Sequence, residues 1–228
     1  CSTDIGDVVP LQKTKDGDLV TAYDMNDVAD LMVKFDILGL RTLTIAHKTC
    51  QKIGIDLDEI NEQDPFIYNT LQNFNHPVGL FQISADTNFR VCQDVKPNNI
   101  NELSDVVALA SPGALQFVDE YINQKHRPTE LNLQKELDEI LSWSNNVILY
   151  QEQLMQIAHK VFGLSLDEAE TLRRIVGKKK SEEMSKWKEK IYNSGLENHL
   201  DERICDFYWG ALEASADYSF NKSHSFAY

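Results

Sequence analysis

From Leu149 to Ser215 apolar residues return with a helical period, and each return ends on a residue that stops a helix. In "LYQEQLMQIAHKVFG", Leu154, Ile157, Ala158 and Val161 stand at i, i+3, i+4 and i+7. That spacing places them on one face of a helix, and Gly163 supplies the left-handed residue that closes it. "SLDEAETLRRIVG" opens on Ser165 and Glu168, the spacing of a capping box. Its stripe is Leu166, Ala169, Leu172 and Val176, and Gly177 ends it. "SEEMSKWKEKIYNSG" starts at Ser181 and turns Met184, Trp187 and Ile191 inward. "DERICDFYWGALEAS" repeats the pattern through Ile204, Phe207, Tyr208 and Leu212. Consecutive striped helices joined by short connections must bury their stripes on one another. A chain of 228 residues that is 42% hydrophobic has the material for such a core.

The first 45 residues read differently. "QKTKDGDLVTAYD" sets Asp16-Gly17 between two short runs, the signature of a hairpin turn. "LMVKFDIL" (31–38) is short, apolar and rich in strand formers, with Asp36 inside it. An acid in a buried strand must be neutralised, paired or bound to metal; a salt bridge from the strand end to Arg41 is the plainer alternative. Between 55 and 130, Pro65, Pro77, Pro97, Pro112 and Pro128 break the chain into shorter helices and loops. The expected fold class is therefore α+β and mainly α-helical: a small β-containing piece over 1–45, then a helical body over 46–228.

Several classes are set aside. No apolar run approaches the roughly 20 residues of a membrane span, so no membrane partner is expected. The N-terminus "CSTDIGDVVP" lacks the basic and apolar regions of a signal peptide. Cys1, Cys50, Cys92 and Cys205 are scattered without a CxxC pair, which argues against a zinc or redox motif and for reduced thiols in the cytoplasm.

The whole chain carries a formal charge of −14, yet five of the ten residues in "TLRRIVGKKK" (171–180) are basic. Eight basic and three acidic residues lie between 173 and 190. A charge run is commonly a solvated face. Here, however, Arg173 and Arg174 sit in the last turn of one capped helix, and Lys178, Lys179 and Lys180 precede the next. Cations beside a helix start, with its free N–H groups, suit a polyphosphate or a nucleic-acid backbone. The chain has neither GxxxxGK[ST] nor GxGxxG, which excludes the standard nucleotide-binding folds.

"LMVKFDILGLRTLT" (31–44), "VGLFQIS" (78–84), "VILYQEQLMQIA" (147–158), "LRRIVGKKKSEEM" (172–184) and "FNKSH" (220–224) together resemble the catalytic alpha subunit of bacterial DNA polymerase III. They occur in that family's order and at about its spacing. The resemblance spans nearly the whole chain and implies the last part of a palm over 1–45 and a fingers domain over 46–228. It implies that Asp36 matches the third of three palm aspartates that hold two Mg²⁺ ions, the other two lying outside this chain. Mg²⁺ is a hard cation and takes oxygen ligands. It further implies nucleotide contacts from Arg173, Arg174, Lys178, Asn221, Lys222 and His224, with Tyr150 and Gln151 positioning the fingers or touching the nascent pair. Lys179 and Lys180 are expected at the DNA backbone. The implied partners are primer-template DNA, a dNTP, the upstream palm segment and replisome subunits. A non-catalytic nucleic-acid-binding helical module is the competing reading.

Departures from the family pattern are visible. Ser111-Pro112-Gly113-Ala114 stands where the family commonly has Arg-Pro-Gly-Pro, and Ser219 stands where it has glycine. A divergent, virus-encoded member would fit, and any phosphate contact from 111–114 is in doubt. Cys1 at the start also fits a segment between split-gene or intein boundaries, with a segment excised for expression as the alternative.

Overall fold

The computed structural model describes residues 3–33, 39–129, 134–177, 181–215 and 219–228. The chain divides into two compact units, Cys1–Asp58 and Glu59–Tyr228.

The first unit carries the expected hairpin. Strands β1 (Leu11–Lys13) and β2 (Leu19–Thr21) pair antiparallel, with Leu11 opposite Thr21 and Lys13 opposite Leu19. Gly17 takes φ +91° in the connecting turn, where Asp18 N–H also donates to the Thr14 hydroxyl at 3.1 Å. A side chain disfavours that φ, which is why glycine stands there. Helix α1 (Met25–Ala29) starts where the Asp24 carboxylate accepts the N–H groups of Asn26 and Asp27. Helix α2 (Arg41–Ile53) ends on Gly54 at φ +79°.

The strand expected over 31–38 is not formed at its described residues. The N–H groups of Leu31 and Met32 both donate to Val28 O, so the chain is still closing the turn after α1, and Leu31 and Val33 are exposed. Strand-forming composition is overridden here by the end of a capped helix next to it. Asp36 lies outside the described residues.

The second unit is helical: α3 (Pro65–Gln72), α4 (Asp86–Val95), α5 (Ile100–Leu109), α6 (Val118–His126), α7 (Lys135–Leu141), α8 (Gln151–Lys160), α9 (Leu166–Gly177), α10 (Ser181–Glu197), α11 (Glu202–Ser215) and α12 (Lys222–Ala227). The fold is mainly α with a little β. Two apolar clusters organise it. One joins α7 to α11 through Leu154, Ile157, Leu172, Ile191, Tyr208 and Leu212. The other joins α3 to α6 with Val147, Leu149 and Tyr150. The segment leading into α8 therefore passes from one core to the other.

Most local signals hold, but Leu166, expected on the inward stripe of α9, is exposed at the helix start. Leu154, Ile157, Ala158 and Val161 are all buried. Gly163 stands at φ +72°, and Leu164 N–H returns to Ala158 O at 3.0 Å, a bond that satisfies the end of α8. Ser165 N–H donates to Glu168 and Glu168 N–H to the Ser165 hydroxyl, the reciprocal pair of a capping box. In the 111–114 loop, the Ser111 hydroxyl donates to Ala108 O at 2.7 Å and Ala114 is buried, so the loop serves the end of α5. Among the described residues no helix is long and apolar enough to cross a membrane.

Candidate functional site

The site is assembled where two distant motifs meet. Phe220 N–H donates to Leu149 O at 3.2 Å, and Gln151 N–H donates to Phe220 O at 3.0 Å, a parallel bridge across Tyr150. The Gln151 amide also donates to Ser219 O. "YQEQ" and "FNKSH" thus form one structural piece.

Gln153 fixes the first motif from below. Its buried side-chain oxygen accepts the N–H groups of Leu149 and Tyr150, while its amide donates to Ile140 O and the Ser144 hydroxyl. A buried amide with its bonds made holds the start of α8 in one orientation. Asn221 fixes the second motif. Its side-chain oxygen accepts His224 N–H at 2.9 Å and the Ser223 hydroxyl at 2.7 Å, capping α12. Asn221 is exposed, with its oxygen committed to that cap.

Lys222 rests on aromatic faces. Its ammonium lies 4.8 Å from the Trp143 ring centroid and 5.5 Å from that of Tyr150, within cation–π range. Its backbone N–H donates to both oxygens of Glu152, at 3.1 and 3.0 Å. Tyr150 is fully buried, so its ring supports Lys222 from inside the protein. His224 is exposed and packs between the Phe220 and Tyr228 rings, at 5.8 and 4.5 Å.

Arg173 and Arg174 share one carboxylate. Arg173 grips Glu170 with Nε and Nη2, each at 2.8 Å, and Arg174 Nε reaches the same carboxylate at 2.7 Å. Glu170 is held down to about 2 by Arg173 first and Arg174 after it, with burial opposing. Glu170 chiefly, and the charge of Glu152 as well, raise Arg173 above its ordinary value. Glu152 in α8 thus binds the main chain of Lys222 in α12, and its charge is also felt at Arg173 in α9. The arrangement can receive an anion: two guanidiniums already hold a planar carboxylate, the shape they would offer a phosphate.

The rest of the basic run is partly engaged in the fold. Lys190 binds Glu168 at 2.6 Å and covers the Trp187 ring at 4.6 Å, while Lys188 lies over Tyr192 and Trp209. These contacts fasten α10 to α9 and α11. Lys178, Lys179 and Lys180 lie outside the described residues, as does Asp36. Among the described residues no group of three or more His, Cys, Asp or Glu side chains is placed to hold a metal ion.

Sequence reasoning missed Glu152, Glu170, Trp143 and Asp105. Asp105 carried a signal: like Asp36, it is an acid inside an apolar run, "SDVVALA". The structure buries it with Ser104 in α5.

Comparison with known proteins identifies the family. The family model "Bacterial DNA polymerase III alpha subunit finger domain" matches residues 39–199. The chain is 35% identical to DNA polymerase III subunit alpha of Aquifex aeolicus over 98% of its own length and 20% of that protein's. It is 35% identical to that of Thermus aquaticus, over 97% and 19%, and 37% identical to that of Pseudomonas fluorescens, over 99% and 21%. The chain spans about a fifth of the length of these relatives.

Proposed function

The chain belongs to the bacterial DNA polymerase III alpha subunit finger domain family, and from that premise we propose that it supplies the fingers of a replicative DNA polymerase and binds the triphosphate of an incoming dNTP. The observation that carries this reading is that Arg173 and Arg174 share the single carboxylate of Glu170, in the same unit as the aromatic-seated Lys222. A nucleic-acid backbone could also meet isolated cations. Two arginines that share one planar carboxylate, together with an aromatic-seated lysine, suit a compact, highly charged anion better.

In this reading a phosphate oxygen takes the place of the Glu170 oxygens at the arginines, and Lys222 neutralises a second phosphate. Gln151 and His224 line the approach to the base pair, and Tyr150 and Asn221 hold Lys222 and α12 in place. Lys178 extends the phosphate contacts, and Lys179 and Lys180 meet the DNA backbone. Residues 1–45 are assigned to the palm and 46–228 to the fingers. Asp36, with aspartates from an upstream palm segment, would hold Mg²⁺, which activates the primer 3′-hydroxyl and neutralises the leaving pyrophosphate. Primer-template DNA, a dNTP and that palm segment are the proposed partners, in the cytoplasm.

Primer extension with this chain, alone and with the upstream palm segment added in trans, tests the reading. Extension is expected only in the combined reaction, and Asp36→Ala is expected to abolish it while DNA binding persists. Arg173→Ala should weaken dNTP binding more than DNA binding. Equal loss of both would favour the non-catalytic nucleic-acid-binding module.

A further inference from the structure

Asp105 is a carboxylate in the middle of α5 with 2% of its surface exposed. Both of its oxygens are taken by tyrosine hydroxyls: Tyr150 donates to Oδ1 at 2.5 Å and Tyr121 to Oδ2 at 2.7 Å. The neighbouring Ser104 hydroxyl lies 3.3 Å from the Tyr150 hydroxyl and 2.7 Å from that of Ser225 in α12. One buried polar cluster therefore joins α5, α6, the entry to α8, and α12.

The cluster fixes Tyr150 at two ends. The backbone is held by the Phe220 bridge and the hydroxyl by Asp105. A ring held at both ends has a set position, packing around the fully buried side chain sets its plane, and Lys222 stands over it. We propose that Asp105 is a positioning residue for Lys222: by accepting from both tyrosine hydroxyls, it sets the aromatic seat from which the Lys222 ammonium meets a phosphate. This inference rests on the nucleotide reading for the identity of the anion and on geometry alone for the seat.

An ionised carboxylate suits the task because it only accepts. An amide would turn one of its two contacts into a donor and require one tyrosine to reverse its bond. Protonation has the same effect. Burial pushes Asp105 up to about 6, against the downward pull of the Tyr150 and Tyr121 hydroxyls and the Lys222 charge, with Glu102 pushing up slightly. Glu102, on the same helix, is itself paired with Lys125 of α6 at 2.8 Å. Near neutrality the seat is therefore sensitive to a single proton.

The test is a pH titration of the 228-residue chain followed by NMR without nucleotide. It reads the Trp143 indole, assigned by Trp143→Phe, and the methylated Lys222 side chain, assigned by Lys222→Arg. Both resonances should move together with a midpoint near 6, and in Asp105→Asn neither should move. Inorganic tripolyphosphate should bind Asp105→Asn about threefold to tenfold more weakly than wild type at pH 7.5, with DNA affinity unchanged. If the two resonances titrate identically in Asp105→Asn, the positioning role is overturned. Should that variant fail to fold, Tyr121→Phe keeps the carboxylate and removes one donor. The midpoint must then rise, and an unmoved midpoint overturns the role equally. If tripolyphosphate does not bind the wild-type chain at all, the nucleotide reading falls, while the titration still decides the Asp105 seat.

Discussion

Glu152 accepts the backbone N–H of Lys222 on both carboxylate oxygens, at 3.1 and 3.0 Å, across 70 residues of sequence. The contact uses the main chain of Lys222, so it survives any substitution of that side chain except by proline. The ammonium can therefore be removed without moving α12.

Lys222→Ala follows from this separation. The variant should keep the wild-type unfolding temperature within about 2 °C, since a half-exposed cation contributes about 1 kcal/mol or less. Its affinity for tripolyphosphate should fall about tenfold, in line with about 1.4 kcal/mol for one charge-assisted contact. Isothermal titration checks the first-order claim. An unchanged affinity removes Lys222 from the anion site.

Glu170→Gln separates the two roles of the shared carboxylate. Glu170 is depressed in the folded state, from 4.5 to about 2. Its contribution to stability is thus present above about 4.5 and is lost as pH falls towards 2. Wild type should lose more stability than Glu170→Gln between pH 5 and pH 2, by about 0.5–1 kcal/mol for a pair of partly exposed helix contacts. At pH 7.5 the variant should bind tripolyphosphate more tightly, because a competing internal anion is gone. Weaker binding would mean that Glu170 chiefly orients the guanidiniums.

Tyr150→Phe removes one donor from a buried carboxylate and should cost about 1–3 kcal/mol. The pH dependence gives the sign. Asp105 is raised above its ordinary 3.8, so its protonated form favours the fold, and stability is lost as pH rises through about 6. Losing the Tyr150 bond, which pulls Asp105 down, raises it further. The variant's deficit should therefore be larger at pH 8 than at pH 5 in urea unfolding. An equal deficit at both values would mean that Asp105 does not change its protonation state between them.

Gly195→Ala tests the packing of α10 on α11. A methyl at Gly195 would stand 2.5 Å from the Cys205 sulfur, and Cys205 is buried. Alanine normally favours a helix by about 1 kcal/mol over glycine. The overlap should reverse that and destabilise the chain by about 1–3 kcal/mol. Cys205→Ala added to it should recover most of the loss, a coupling that a double-mutant cycle reads directly.

Legibility in the sequence followed the range of the interactions. The ends of α8 and α9 were readable because Gly163, Ser165 and Glu168 act on residues within a turn of themselves. The same holds for the hairpin turn at Gly17. The run 31–38 misled at Leu31–Val33, because strand-forming residues there follow directly on a capped helix. The motifs that resembled the polymerase family pointed to Tyr150, Gln151, Asn221 and Lys222, and the structure brings these four together. The Asp105 cluster was not legible, since Ser104, Asp105, Tyr121, Tyr150 and Ser225 share no period or spacing. Only the fold makes them neighbours.

The Tyr150–Phe220 bridge bears on the order of assembly. Helices α8 to α11 lie between its two ends, and the core they share with α7 is built largely from contacts between successive helices. Joining the ends requires closure of a long loop, whose entropy opposes the bond until the intervening helices have docked. The anion-receiving corner should thus be completed last as the chain folds and open first on warming. Amide exchange at Gln151 and Phe220 should outpace that at Ile157 and Leu172, leaving a molecule whose body is formed while its working edge still comes and goes.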